Sequence, residues 1–435
     1  MKPETRELHP TKKAILDVAI SELNGQGQGG FRIAHVLEES NASFSSLYHH
    51  FGSREGLIRE ANAERFIWST KIDLTAFTQA SMQTTTTGEF FDIAARQIVR
   101  VGTDPLLRLG RQQRVEVLGF ALTDPELLEQ IIQLQRTQIT DLANIIEGVQ
   151  RRGLIRQDLD IENYVAWNLG IQFGHILTEI DPTLGPVSPT WNKCAILSSL
   201  QPLTLDREPI EWLSTWDEGV TLEQKNPLFS EKVSPQPISD HPTAKVLLAN
   251  TIAILETGGE EAVRLPLVLE GTGTSVTSIY HFFGNREGLI AAANAERFIN
   301  RSVGTIEDFT QAAQDAVTVD DFFDFLKENL TTNALDETFI RYRWTRAEVL
   351  GSALRRPHLL AAISLTQRFI TNQFATITAG AQERAFIRSD LDPAGAVLWF
   401  MGMQAGRILT EIQPGLNKNE EWLDFAVEGV HGALR

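Results

Sequence analysis

The chain repeats itself at an interval of 232 residues. Ser45 to Phe66, SSLYHHFGSREGLIREANAERF, returns as Thr277 to Phe298, TSIYHFFGNREGLIAAANAERF, with sixteen of twenty-two positions identical. The register holds without a gap from His9-Pro10-Thr11 against His241-Pro242-Thr243, through Phe90-Phe91 against Phe322-Phe323, to Ile176-Leu177-Thr178-Glu179-Ile180 against Ile408-Leu409-Thr410-Glu411-Ile412. A unit this long exceeds the roughly 20–50 residues of a solenoid repeat and has the size of a whole subunit. It predicts two like subunits joined in one polypeptide and paired about a two-fold axis.

Composition narrows what such a pair can do. The net charge of −17 gives no general attraction for nucleic acid or an anionic membrane, so any DNA contact must come from a local basic patch. Cys194 is the single cysteine, which excludes an internal disulfide framework and suits a reducing compartment. No His, Cys or Asp cluster has metal-ligand spacing, and no cofactor motif is present. The glycine run Gly25–Gly30 imitates a phosphate loop, but no strand precedes it and no Gly-Lys-Ser/Thr follows, so it reads as a helix connection. The acid pairs Glu38-Glu39, Glu260-Glu261 and Asp320-Asp321 read as solvated surface. The N-terminus lacks an apolar leader, and no run approaches the roughly 20 apolar residues of a membrane span. The expectation is a cytoplasmic, non-enzymatic protein.

Strand signals are nearly absent and a 3.6-residue apolar period dominates, so the fold class is all-α. Helices are expected over Pro10–Leu23, Arg32–Glu39, Ser43–Tyr48 and from Ser53 to about Thr75, then near Gly88–Gly102, Pro105–Leu122, Pro125–Arg152 and Ile161–Ile180. Asp104-Pro105 and Asp124-Pro125 punctuate helix starts. After Ile180 the first copy carries an extra loop of about twenty residues before a last helix beginning at Glu211-Trp212-Leu213. The second copy reaches Glu421-Trp422-Leu423 directly. The expected units are a head at 1–78, a body at 79–221, a linker at 222–240, a second head at 241–310 and a second body at 311–435.

Two short helices across a tight turn, followed by a long helix, form the layout of a helix-turn-helix unit. The turn is Ser40-Asn41-Ala42 in one copy and Thr272-Gly273-Thr274 in the other. The next helix offers Ser45, Ser46, Tyr48 and His49, or Thr277, Ser278, Tyr280 and His281, whose polar groups can donate to phosphate oxygens. Arg54 and Arg286 open the following helix beside its free N–H groups, an arrangement that attracts phosphate.

LYHHFGSREGL, Leu47 to Leu57, and its second copy resemble the N-terminal domain of the TetR (tetracycline repressor) family. GLIRQDLD, Gly153 to Asp160, is similar to the family's C-terminal half. The resemblance covers nearly all of both copies and implies DNA-reading heads on helical bodies that hold a ligand pocket. Together with the repeat it implies an intramolecular pseudo-dimer, monomeric as a chain. It assigns phosphate contacts to Tyr48, His49 and Arg54, and to Tyr280, His281 and Arg286. Ser43, Phe44 and Ser45, with Ser275, Val276 and Thr277, would face base edges in a double-stranded DNA operator. Lys12, Lys13 and Lys245 on the first helices, together with Arg32 and Arg264, complete the DNA-contact set.

Charge counts against a strong grip on DNA. Met1 to Glu55 carries six basic and seven acidic residues, and Val233 to Glu287 carries three and six. Neither recognition helix has a Lys or Arg to take the commonest guanine contact. Pro266 is expected to shorten the second helix of the second head. The competing class is a scaffold of the same fold that senses a ligand or a protein without DNA.

In the bodies, polar or aromatic groups inside apolar helices are the candidates for a pocket that takes a small apolar or amphipathic effector. They are Phe90, Arg114, Phe120, Trp167, Gln172, Phe173 and His175, and Phe322, Arg346, Trp399, Met403, Gln404 and Arg407. A buried arginine needs an anionic partner. For Arg114 and Arg346 the preferred reading is an internal pair, with Glu116 and Glu348 or with another helix, over a carboxylate ligand. His175 standing opposite Arg407 in the repeat implies that the two pockets differ.

Overall fold

The computed structural model describes residues 9–27, 30–70, 75–181, 189–217, 240–299, 302–416 and 419–435. Gln28-Gly29 of the glycine run and all of the expected linker except Asp240 lie outside them. The described residues form α-helices and short 3₁₀ turns, with no strand. The first half contains α1 (Pro10–Gln26), α2 (Ile33–Glu39), α3 (Phe44–Phe51), α4 (Arg54–Thr70), α5 (Thr75–Gln83), α6 (Thr87–Thr103), α7 (Pro105–Ala121), α8 (Pro125–Arg151), α9 (Ile161–Gly174), α10 (Ile176–Glu179) and α11 (Pro189–Leu200). The second contains α12 (Pro242–Ala262), α13 (Leu265–Leu269), α14 (Val276–Phe283), α15 (Arg286–Ile299), α16 (Ser302–Asp315), α17 (Val319–Leu335), α18 (Glu337–Ala353), α19 (Pro357–Glu383), α20 (Pro393–Gly406), α21 (Ile408–Glu411) and α22 (Asn419–Leu434). From α6 to α10 and from α17 to α21, every start and stop recurs at the 232-residue interval.

The helix starts follow from their caps. The Asp104 carboxylate accepts from Leu106 N–H at 2.8 Å, Asp124 from Leu127 N–H at 3.0 Å and Asp160 from Asn163 N–H at 3.0 Å. Thr86 and Glu89 close a capping box at α6. Pro266 falls in the first turn of α13, which runs five residues where α2 runs seven. The helix expected over Ile161–Ile180 breaks at His175, which ends α9 and leads into α10.

One expectation is overturned. The segment read as an extra loop holds α11, and Glu211-Trp212-Leu213 belongs to no helix. Trp191 on α11 packs edge-on to His175 at 4.3 Å, as Trp422 on α22 lies beneath Arg407 at 4.5 Å. Since His175 and Arg407 are repeat equivalents, Trp191 takes the place that the sequence match gave to Trp212. Every residue of α11 from Thr190 to Leu200 is buried apart from Lys193. A helix covered on all sides carries no one-faced stripe, which removes the periodic signal.

The halves meet chiefly where α9 crosses α20 and α7 crosses α18, with α11 packed against both α22 and α20 beside them. Where α9 crosses α20, a Cβ added at Gly174 or Gly402 would collide with the other's backbone, and Gly170 and Gly406 are related in the same way. Gly402 is the repeat equivalent of Gly170, and Gly406 that of Gly174, so the contact exchanges partners as an isologous interface does. Where α7 crosses α18, Gly119 meets its own equivalent, Gly351. Ion pairs border these seams: Arg156 with Glu428 at 3.0 Å, Lys193 with Asp390 at 2.5 Å and Arg368 with Asp181 at 2.5 Å.

Candidate nucleic-acid interface and interior cavities

The first head closes over Ile15, Leu16, Leu23, Val36, Leu47 and Leu57, the second over Leu247, Leu255, Val268, Ile279 and Leu289. Leu47 and Ile279 turn the buried sides of α3 and α14 inward. The opposite side of α3 and its cap exposes Ser43, Phe44, Ser45, Tyr48 and His49. On α14 and its cap the exposed residues are Ser275, Val276, Thr277, Tyr280 and His281. Phe44 and Tyr48 are 55% and 58% exposed, so this face leaves aromatic surface in water. The turn before α3 places Asn41 at φ 49°, in the left-handed region Asn tolerates, and the second head uses Gly271 and Gly273 there.

The cations around these faces are mostly engaged. Lys12 pairs with Glu60 at 2.7 Å, Lys13 with Asp17 at 2.6 Å and Lys245 with Asp240 at 2.8 Å. Arg32 and Arg264 are exposed ahead of α2 and α13. Arg54 stands over the Phe31 ring at 5.6 Å with Glu55 at 3.7 Å. Arg286 donates from Nε to the Val263 carbonyl and from Nη2 to the Glu260 carbonyl, both at 2.8 Å, and from Nη1 to Glu287 at 2.7 Å. The first head also gathers His9, His49 and His50, with ring centroids 5.1 Å and 4.9 Å from His50. Desolvation, then His49, His9 and Lys12, hold His50 below its ordinary pKa. Phe282 replaces that imidazole in the second head.

Each body holds a cavity at the equivalent place. The first, about 80 Å³, is lined by Phe77, Phe90, Tyr164, Asn168 and Gln172 among others, with no charged residue in its wall among the described residues. The second, about 140 Å³, has Phe309, Phe322, Tyr342, Phe374, Phe400 and Gln404 in its wall, together with Arg343 and Arg346. Of the expected pocket residues, Phe90, Gln172, Phe322, Arg346 and Gln404 therefore line cavities.

The others sit elsewhere. Trp167 packs on Phe425 of α22 at 5.8 Å, and Phe173, Trp399 and Met403 are buried in the shared core. Phe120 wedges between the head and body cores. Arg114 is buried against the Phe66 ring at 5.3 Å and donates to Gln138. Among the described residues no carboxylate pairs with it, and burial, then the Arg111 charge, lowers its pKa to about 10. The internal pair expected with Glu116 and Glu348 does not form for Arg114 or Arg346, because those carboxylates face the long head helices. Glu116 binds Arg65 of α4 and, at 2.6 Å, Arg355, while Glu348 binds Arg297 of α15 at 2.9 Å.

His175 and Arg407 belong to interior ion clusters, which the sequence reading missed because their other members, Arg111 and Arg343, come from α7 and α18. The Glu179 carboxylate accepts from Arg111 Nε at 2.8 Å and lies 2.9 Å from His175 Nδ1. Glu411 accepts from Arg343 at 3.0 Å, Trp344 at 2.9 Å and Arg407 at 3.2 Å. Burial, then the Arg111 charge, pushes His175 down to about 4, with Glu179 opposing. The neutral ring is therefore the folded form, while the unfolded imidazole takes its proton near 6.5. Stability from this site is complete above 6.5 and falls as pH drops toward 4, by about 2 kcal/mol at pH 5. Urea midpoints at pH 7.5 and 5.0 should differ less for His175→Gln than for the parent chain; an unchanged difference would remove the site from the acid response.

Residues 15–61, the first head with the start of α4, match the family model described as bacterial regulatory proteins, tetR family. Among solved structures, the chain is similar to a protein of Mesorhizobium loti MAFF303099 described as a TetR-family transcriptional regulator. The identity is 18% and the TM-score 0.31, over 38% of this chain and 81% of that one. No curated protein matches the chain. Among the described residues, no helix is long and apolar enough to cross a membrane and no cluster of three or more His, Cys, Asp or Glu could hold a metal ion.

Proposed function

We propose that this chain is a sequence-specific, DNA-binding transcription regulator, acting as a repressor, whose operator affinity is set by a small effector in the helical body. The supporting observation is the exposed face of Ser43, Phe44, Ser45, Tyr48 and His49 on a helix whose other side is locked into a head of the TetR type. In this reading the halves form a pseudo-two-fold dimer within one chain, and each head lays its short helix in a major groove, one helical turn or a multiple apart. Tyr48, His49 and Arg54 hold phosphates and position the head, while Ser43, Phe44 and Ser45 meet base edges.

The second head is the weaker partner, because Arg286 is committed to the carbonyls of Glu260 and Val263. The two faces also differ at Phe44 against Val276 and Ser45 against Thr277, so the operator is an imperfect palindrome. An effector in either body cavity would favour one head separation and thereby change operator affinity.

Selection of bound fragments from a random duplex pool, at about 50 and 200 mM salt, tests this reading. It should enrich a two-part, slightly asymmetric motif that weakens with salt. Arg54→Glu should lower retention at least roughly tenfold, the scale of a lost charge-assisted phosphate contact, and Arg286→Glu less. The engaged cations of both heads favour a second reading, a ligand-sensing or protein-binding scaffold of the same fold. Absence of enrichment at the lower salt would select it.

A further inference from the structure

Arg346 is 9% exposed, stands in the wall of the larger cavity and has no carboxylate at ion-pair distance among the described residues. Its Nη2 donates to Gln367 Oε1 at 2.5 Å and its Nη1 to the Tyr342 hydroxyl at 3.4 Å. Its guanidinium lies 4.1 Å from the Phe298 ring centroid. The neighbouring Arg343, by contrast, is neutralised by Glu411. A guanidinium taken out of water without a counter-charge is costly, and neutral acceptors and a ring face offset only part of that cost. Aromatic side chains stand around it: Phe309 meets Phe374 edge-on at 5.2 Å, and Tyr342 and Phe400 complete the wall. The smaller cavity shares aromatic lining, in Phe77, Phe90 and Tyr164, but among the described residues no charged side chain enters its wall, and its Tyr164 hydroxyl is committed to the Ser199 carbonyl at 2.8 Å.

We propose that the second half alone binds an aromatic carboxylate, one per chain, with its ring among Phe309, Phe374 and Phe400 and its carboxylate on Arg346. This rests on the effector reading above and names the ligand class and the half that takes it. An interior space of this order holds a benzene-sized ring, and buried rings prefer edge-on or offset partners of the kind Phe309 and Phe374 provide. A bidentate carboxylate supplies the missing charge in the geometry a guanidinium fork accepts. Amide groups of the wall, among them Gln404, are available to fix substituents.

Calorimetric titration of the full chain, without DNA, tests this with benzoate and 2-naphthoate against benzamide and 2-naphthamide. At least one acid should bind at one per chain and roughly 10- to 100-fold more tightly than its amide. Arg346→Gln should erase that preference while leaving the amide's affinity within a few-fold, which also reports an intact cavity. Arg114→Gln should change neither. If Arg346→Gln fails to fold, Arg346→Lys, which keeps the charge, should retain the acid preference. Equal affinity for acid and amide, two equivalents per chain, no binding by either acid, or the same loss from Arg114→Gln would overturn the assignment. Because no DNA is present, a chain that prefers the acid but enriches no duplex keeps this inference and loses the regulatory one. Duplex enrichment without acid preference does the reverse.

Discussion

Gly174→Ala and Gly406→Ala should each destabilise the chain by about 3 kcal/mol or more, the upper end of overpacking costs. At both positions the added methyl falls on backbone atoms of the facing helix, the carbonyl of Gly402 in one case and of Gly170 in the other. A side chain in the way could rotate; a helix backbone cannot, so α9 and α20 must separate along the seam they share. Separation would also loosen Trp167, Phe425 and the α11–α22 contact, which pack beside the crossing. Gly170→Ala and Gly402→Ala should cost less, since their nearest backbone contacts are 2.9 Å and 2.7 Å. Gly380→Ala is the control: it lies in α19 with nothing within 4 Å of the added carbon, and should stabilise by up to about 1 kcal/mol through helix propensity. Urea-unfolding midpoints for these variants decide the matter. An equal gain at Gly380 and Gly406 would mean that helix propensity, not the crossing, sets the response.

Glu116→Gln should cost about 3–5 kcal/mol, the scale of a buried pair broken on one side. Among the described residues Glu116 is the single carboxylate bound by Arg65, whose side chain is 4% exposed, and it also holds Arg355 from the other half. Removing its charge leaves two guanidiniums facing each other around an amide. Arg65 retains neutral partners, Asn24 at 2.8 Å and Asn62 at 2.9 Å, but no counter-charge. Burial already lowers the Arg65 pKa, with Glu116 opposing that shift. The comparison variant is Glu348→Gln. Glu348 is 23% exposed and, among the described residues, binds Arg297 alone, the position equivalent to Arg355 being Thr123. It should cost at least about 1 kcal/mol less, since the carboxylate replaced is already partly solvated and one guanidinium rather than two loses its counter-charge. Hydrogen exchange resolved to α1–α4 should show the first head opening more readily in Glu116→Gln; equal protection in both heads would count against a joint at this residue.

The helical class and the head over residues 15–61 were legible because their signals are local. Asp-Pro pairs mark helix starts, Asn41 and Gly273 mark the turns, and the alternation of Leu47 with exposed Tyr48 and His49 fixes the sides of α3. What failed needed three dimensions. α11 is covered on every side and so has no stripe to read. Arg114 and Arg346 stand two residues before Glu116 and Glu348, a spacing that points side chains to different faces of a helix. The acids therefore serve the head helices while the arginines turn inward. The cavity wall draws on α16 to α20 at once, so Phe309, Phe374 and Phe400 could be associated only after those helices had packed. Trp212 was matched to Trp422 on the tripeptide Glu-Trp-Leu, while the role belongs to Trp191.

The crossing of α7 with α18 has a genetic consequence. When identical chains pair about an axis, every substitution arrives twice, once on each side, and a tolerable change on one side becomes a doubled one at the axis itself. Here Gly119 and Gly351 meet across the seam but are separately encoded, as are His175 and Arg407. Each side can therefore be altered at single dose while its counterpart keeps the older residue and the packing that depends on it. Such a molecule can carry two versions of one site side by side, and the difference between the charged cavity and the uncharged one is of that kind.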